Sequence, residues 1–226
     1  MSKQNHCATV ARLSAAVALT LTLSLQATPV TRFQGTSAGV FMSPAGGVTT
    51  GIGTNFFTWG TGQPSSLRFT GGSFDVTTPT GYILGTSAQA ARPVFSLGTL
   101  GYFNGTIARG TGADSVRLNA SVSLSSPVAA GPTAIPIQMN LINTPNTSDP
   151  VASADCVFLP GNLPPITLTS VGGAPITIEA AGFGNATANG FTAINQFHVF
   201  EGASASADLF GRIAVRSSRP KPIHRT

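Results

Sequence analysis

From Ser115 to Leu124 the chain reads SVRLNASVSL, in which Val116, Leu118, Ala120, Val122 and Leu124 alternate strictly with Ser115, Arg117, Asn119, Ser121 and Ser123. Successive side chains of an extended chain point to opposite sides, so a period of two marks a strand with one buried and one wet face. The segment IPIQMNL repeats the pattern through Ile135, Ile137, Met139 and Leu141. Further strand candidates are SSLRF, SFDV, VFSLGTLGYF, CVFL, ITLTSV, PITIEAAGF, FHVFEG and GRIAV. Turn formers separate them in TGG, GTGAD, NTPNTSDP and PGNLPP. Nowhere after the first segment do apolar residues recur at helical spacing opposite a charged face. Many short strands without alternating helices predict an all-β fold, an antiparallel β-sandwich of jelly-roll-like form, preceded by a signal-peptide helix.

Composition narrows the class further. Only 8% of residues are charged and 42% are hydrophobic. Disorder pairs low hydrophobicity with high net charge, so it does not fit. The polar remainder is mostly Ser, Thr, Asn and Gly, which suits strands and turns that turn hydroxyls rather than charges to water. The net charge of +5 sits at the ends. Lys3 and Arg12 are near the start, and Arg212, Arg216, Arg219, Lys221 and Arg225 are near the finish. Between them Arg32, Arg68, Arg92, Arg109 and Arg117 face all seven acids. Phosphate binding needs a dense basic face on the folded body, so no nucleic-acid partner is expected.

Lys3, His6 and Arg12 precede the apolar run LSAAVALTLTLSL, Leu13 to Leu25, and then QATP. A basic segment, a short apolar core and a small residue before the cut predict a secretory signal peptide over residues 1–27, ending at Ala27. The run is shorter than the roughly 20 residues that span a bilayer, so no integral span is expected after cleavage. Residues 28–215 are then one sandwich domain and 216–226 a basic, disordered tail. Cys7 leaves with the leader, and Cys156 stands alone without an intramolecular disulfide, as a small buried hydrophobe.

Chemistry-bearing residues concentrate in INQFHVFEGASASADLFGRIAV, which holds His198, Glu201 and Asp208. Strand alternation puts His198 on one face with Gln196 and Phe200, and Glu201 on the other with Phe197 and Val199. A catalytic dyad needs contact at about 3 Å, which a regular strand denies this pair. Asp208 follows GASASA, read as a flexible turn. GTSAG, Gly35 to Gly39, matches the pattern that exposes a nucleophilic serine, here Ser37, but that pattern has meaning only between a strand and a helix. NTSDPVASADC sets Asp149 and Asp155 beside Asn143, Asn146 and Ser148, oxygen donors of the kind calcium takes, without the spacing of a dedicated loop. His198 and His224 are the only histidines beyond the leader. The Gly-rich pieces GIGTN, GTGAD and GFGNATANG lack the G-K-[ST] ending of a phosphate loop and read as turns. Asn104, Asn119, Asn146 and Asn185 each head an N-x-[ST] sequon. Trp59 is the only tryptophan, either a core residue or an exposed platform for sugar stacking.

Four long phrases occur in order: FFTWGTGQPSSLRFTGGSFDV, FSLGTLGYFNGTIARGTGADSVRLNASVSL, LINTPNTSDPVASADCVFLP and NQFHVFEGASASADLFGRIAV. Together, over about Gly39 to Val215, the chain resembles the choice-of-anchor K domain of bacteria. The resemblance implies an exported β-rich domain at the cell surface or outside the cell. Similar domains carry differing C-terminal sorting or anchoring signals, among them the PEP-CTERM type. Arg216 to Thr226 is basic without an apolar span, so the expectation is free release or a chain that stops before its anchor. The resemblance supplies no catalytic, cofactor-binding or metal-binding residue.

The function expected from these readings is an exported, non-enzymatic, cell-surface or extracellular module that binds matrix or polysaccharide. No cofactor is expected; the Asp149–Asp155 segment reads first as turns, with calcium the alternative. The alternative is a secreted hydrolase using His198 with Asp208 or Asp155.

Overall fold

The computed structural model describes residues 30–79, 94–161, 165–171 and 174–215. The expected leader (1–27) and basic tail (216–226), His224 included, lie outside the described residues. The first seven strands are β1 (Val30–Ala45), β2 (Thr49–Thr50), β3 (Phe56–Trp59), β4 (Ser65–Gly71), β5 (Ser73–Pro79), β6 (Val94–Phe103) and β7 (Ser115–Ser126). The rest are β8 (Ala130–Ile142), β9 (Asp155–Phe158), β10 (Ile166–Val171), β11 (Ala174–Gly184), β12 (Gly190–Ala193), β13 (Gln196–Val199) and β14 (Ser204–Val215). Among the described residues there is no helix.

Two curled, antiparallel seven-stranded sheets form a sandwich. The first has the order β12-β13-β9-β8-β7-β1-β5 and the second β10-β11-β14-β6-β4-β3-β2. The chain passes repeatedly from one sheet to the other, so strands distant in sequence become neighbours: Gly39 pairs with Ala120, and Leu100 with Ala207. The last strand, β14, sits between β11 and β6 and joins the two halves of the second sheet.

Alternation explains which side of each strand faces in. Val116, Leu118, Ala120, Val122 and Leu124 of β7 are buried, as are Ile135, Ile137, Met139 and Leu141 of β8. Before Asn140 the only described sheet neighbour of β8 is β7, and there Pro132 and Pro136 are exposed on a strand edge that lacks their N–H groups. Edge prolines of this kind blunt pairing with other chains.

A line of aromatic rings threads the interior. Phe41, Phe57, Trp59, Tyr102, Phe197 and Phe183 follow one another at centroid spacings of 5.9, 5.6, 5.6, 6.2 and 6.0 Å. Phe41 and Phe197 come from the first sheet and the other four from the second, so the Phe41–Phe57, Tyr102–Phe197 and Phe197–Phe183 contacts tie the layers together, and full burial of one such side chain stabilises by about 1.5–3 kcal/mol. Trp59 is 0% exposed, so of the two readings the sequence left open it is the core residue.

The longest strand, β1, carries GTSAG and was not among the strand candidates. Its inward positions are Phe33, Gly35, Ser37, Gly39 and Phe41, so glycine stands where an apolar residue would announce a strand. A Cβ at Gly39 would lie 2.7 Å from Phe69 Cδ1 and 2.9 Å from Leu118 Cδ1. Glycine is required there because the Phe69 ring from the other sheet lies against the backbone. A second departure from alternation is the bulge at Gly98 in β6, with φ of +146° and a register shift against Leu209 and Phe210. GASASA is not a flexible turn: Ser204 onward belongs to β14, whose inward residues Ala205 and Ala207 are too small to signal burial from sequence.

Candidate functional site

At one end of the sandwich three loops converge: Asn104–Asp114 after β6, Asn143–Ala154 after β8, and Phe200–Ala203 between β13 and β14. They enclose an open groove of about 780 Å³. Its polar lining includes Arg109, Asp114, Asn143, Asn146, Asp155 and Glu201. Asn104 anchors this end: its side-chain amide donates to the Val199 carbonyl (3.0 Å), and its backbone exchanges bonds with Gly202 and Ala203. The β13–β14 turn that carries Glu201 is thereby fixed to the end of β6.

Each groove carboxylate is set by the strand that leads to it. Asp155 opens β9 opposite Val199, on the inward side of the first sheet. Its Oδ1 accepts bonds from the Thr144 backbone N–H at 2.6 Å and the Thr144 hydroxyl at 3.0 Å. Burial raises its pKa to about 6; the two Thr144 bonds pull it down, and the charge of Glu201 pushes it up. Glu201 continues the inward side of β13 past Phe197 and Val199 and reaches the groove from the opposite wall. Its Oε1 accepts from the Thr106 hydroxyl at 2.6 Å and the Asn146 amide at 2.9 Å.

The structure separates His198 from the carboxylates that the sequence analysis weighed beside it. His198 lies on the outer face of the first sheet, its ring stacked on Phe191 at 4.4 Å and 5°. Its Nε2 bonds Gln196 Oε1 at 2.8 Å. Burial lowers its pKa, partly opposed by a bond to the Ala154 backbone. Asp155 occupies the opposite face of that sheet, and Asp208 belongs to the other sheet, where Thr99 (3.3 Å) and Asn185 (2.8 Å) donate to it. None of these carboxylates forms a dyad with His198.

Ser37 is a strap between the sheets rather than a nucleophile at a turn. Its hydroxyl donates to the Leu97 carbonyl across the sandwich and accepts from the Gly72 N–H at 3.1 Å. Asp149 caps its own loop by accepting from the N–H groups of Val151 (2.9 Å) and Ala152 (3.3 Å). It does not converge with Asp155, and among the described residues no three His, Cys, Asp or Glu side chains gather to hold a metal ion. Cys156 is buried beside His198 in the strand register, and burial, then the charge of Asp155, raises its thiol to about 11. Of the sequon asparagines, Asn104 is buried, Asn119 is half-buried in β7, and Asn146 and Asn185 are exposed.

Sequence reasoning weighed Asp155, Asn143 and Asn146 as calcium donors and Glu201 as half of a dyad. Their meeting with Arg109 and Asp114 in one groove was out of reach, because it depends on three loops far apart in sequence. The inward phase of β13, ending on Glu201, was the one legible signal. No protein-family model matches the chain, and no curated protein matches it at a significant level. Among the described residues no helix is long and apolar enough to cross a membrane.

Proposed function

We propose that this protein is an exported, non-enzymatic sandwich module of the cell surface or extracellular space, and that its groove binds matrix polysaccharide. The observation that carries the reading is the loop-end groove, where carboxylate acceptors stand among amide, hydroxyl and guanidinium groups on a rigid double-sheet frame. Each sugar hydroxyl is both donor and acceptor, and a concave site with a few fixed polar groups of both kinds is what recognises it. A groove open to solvent also lets a polymer run through rather than end in it. The basic-then-apolar N-terminal segment supports export, and the ordered phrases that resemble the choice-of-anchor K domain support a surface or extracellular setting. The separation of His198 from Asp155 and Asp208 supports a binding role over hydrolysis.

The test is a glycan array followed by titration calorimetry with the full chain. Glu201→Ala and Asn146→Ala are expected to weaken polymer binding at least tenfold, while Phe191→Ala on the outer sheet face leaves it unchanged. Absence of binding to any polymer, or binding indifferent to the groove variants, overturns the proposal.

A further inference from the structure

Two carboxylates in the groove share an unusual arrangement. Asp155 receives both of its hydrogen bonds on Oδ1, and Glu201 receives both of its own on Oε1. Among the described residues, Oδ2 of Asp155 and Oε2 of Glu201 accept no hydrogen bond. Each side chain is thus fastened to the wall through one oxygen and keeps the other for the groove. Asp155 as a residue is only 4% exposed, and what solvent reaches it comes through the groove, so its unspent oxygen is an acceptor open to an incoming group. Leaving such a charge unpaired is costly, and an incoming cation relieves that cost.

The surroundings supply no such cation deep in the site. Asp155 is flanked by Tyr102, Cys156 and Glu201, all neutral or acidic. Asp114 adds a third carboxylate to the lining, and Arg109, the one lining cation among the described residues, is exposed. Acids outside the groove are engaged elsewhere: Asp75 with Arg32, Asp149 in its own turn, Glu179 with Arg212, and Asp208 with Thr99 and Asn185. A space of about 780 Å³ is far larger than a desolvated ion and matches the size of a ligand with several polar groups.

We propose that the groove selects an amine-bearing sugar polymer over neutral and uronate polymers, with the free oxygens of Asp155 and Glu201 receiving a sugar ammonium. This rests on the polysaccharide reading above and names its ligand class. Charge-assisted hydrogen bonds from an ammonium to these oxygens are roughly twice as strong as those from a hydroxyl. A uronate would instead meet like charge. With its carboxyl raised by burial to about 6, Asp155 is ionised at neutral pH, and a bound ammonium holds it so.

The experiment titrates the full chain at about pH 6.5, more than a unit below the ~8 at which an α-amino group, an amine also lowered by electron-withdrawing neighbours, loses its proton. The probes are a glucosamine oligomer, its N-acetylated counterpart, a galacturonate oligomer and an oligolysine peptide. The expected result is about tenfold tighter binding of the glucosamine oligomer than of the acetylated one, and no galacturonate binding. That preference should shrink in high salt, where the Debye length falls from ~10 Å toward ~3 Å. It should also disappear in Glu201→Gln and Asp155→Asn, with folding of each variant checked by thermal melt. Equal affinity for the amine and acetylated oligomers overturns this inference and leaves the polysaccharide reading standing. Oligolysine binding as tight as the glucosamine oligomer also overturns it, because charge alone would then suffice. If none of these oligomers binds, this inference falls, and the glycan array decides the polysaccharide reading separately.

Discussion

The substitution Asp155→Asn should change how stability depends on pH, in a direction set by burial. In the unfolded chain an aspartate titrates at about 3.9. In the fold Asp155 is raised to about 6, because desolvation outweighs the two Thr144 bonds. The fold therefore favours the protonated form. Below about pH 4 both states hold the proton and the group costs nothing. Between about 4 and 6 the unfolded chain has released its proton and the folded chain has not, so the penalty grows, and above 6 it is complete. Two units at about 1.36 kcal/mol each set a ceiling near 3 kcal/mol, and solvent reaching the groove-facing oxygen reduces this to about 1–2 kcal/mol. The only tryptophan, Trp59, is buried and reports unfolding by fluorescence. Urea titrations at pH 4 and pH 7 should show Asp155→Asn gaining about 1–2 kcal/mol on the wild type at the higher pH relative to the lower. Asp75, lowered by its bonds to Arg32, and His198, lowered by burial, both lose stability on acidification. Both are present in the two proteins and cancel in the difference. A variant that tracks the wild type at both pH values refutes the reasoning. A difference of the opposite sign means that the Thr144 bonds, not desolvation, govern the group.

The remaining expectations concern packing and reactivity. Phe197→Ala empties a fully buried site between Tyr102 and Phe183 and should cost about 3–5 kcal/mol by chemical denaturation, whereas Phe191→Ala on the outer face should cost about 1 kcal/mol or less. Equal effects would contradict the assigned faces of β12 and β13. Gly39→Val drives a side chain into Phe69 and Leu118 and should lower stability by more than about 2 kcal/mol, while Ala38→Ser, pointing outward on the same strand, should stay within about 0.5 kcal/mol. Cys156, buried and raised to about 11, should resist a thiol-specific disulfide reagent at mildly alkaline pH until denaturant is added; rapid labelling of the native protein would show that the site opens.

Much of the layered architecture was legible because burial on one face forces a period of two. Most of β7 (Ser115–Leu124) and the second half of β8 (Ile135–Leu141) were read, and β6 and β10 match their expected segments residue for residue. Legibility failed where the inward residue is not greasy. β1 faces inward with Gly35, Ser37 and Gly39, where Phe74 of the adjacent β5 lies against Gly35, Phe69 from across the sandwich lies against Gly39, and Ser37 bonds the Leu97 carbonyl. β14 opens with Ala205 and Ala207, and so looked like a loop. The same alternation correctly placed His198 and Glu201 on opposite faces, yet it could not place Asp155 beside Glu201. That neighbourhood follows from the β9–β13 pairing, which joins segments some forty residues apart (Asp155 with Val199).

The position of β14 has a consequence for the order of assembly. As the chain emerges from the ribosome, the second sheet exists only as two fragments: the β10–β11 hairpin and the β6-β4-β3-β2 block. Neither half can complete its hydrogen-bonding edge until Ser204–Val215 is synthesised and slots between them. Closure of the interior thus waits for the last of the described strands, and chains lost by premature termination before it expose two raw sheet edges to quality-control proteases.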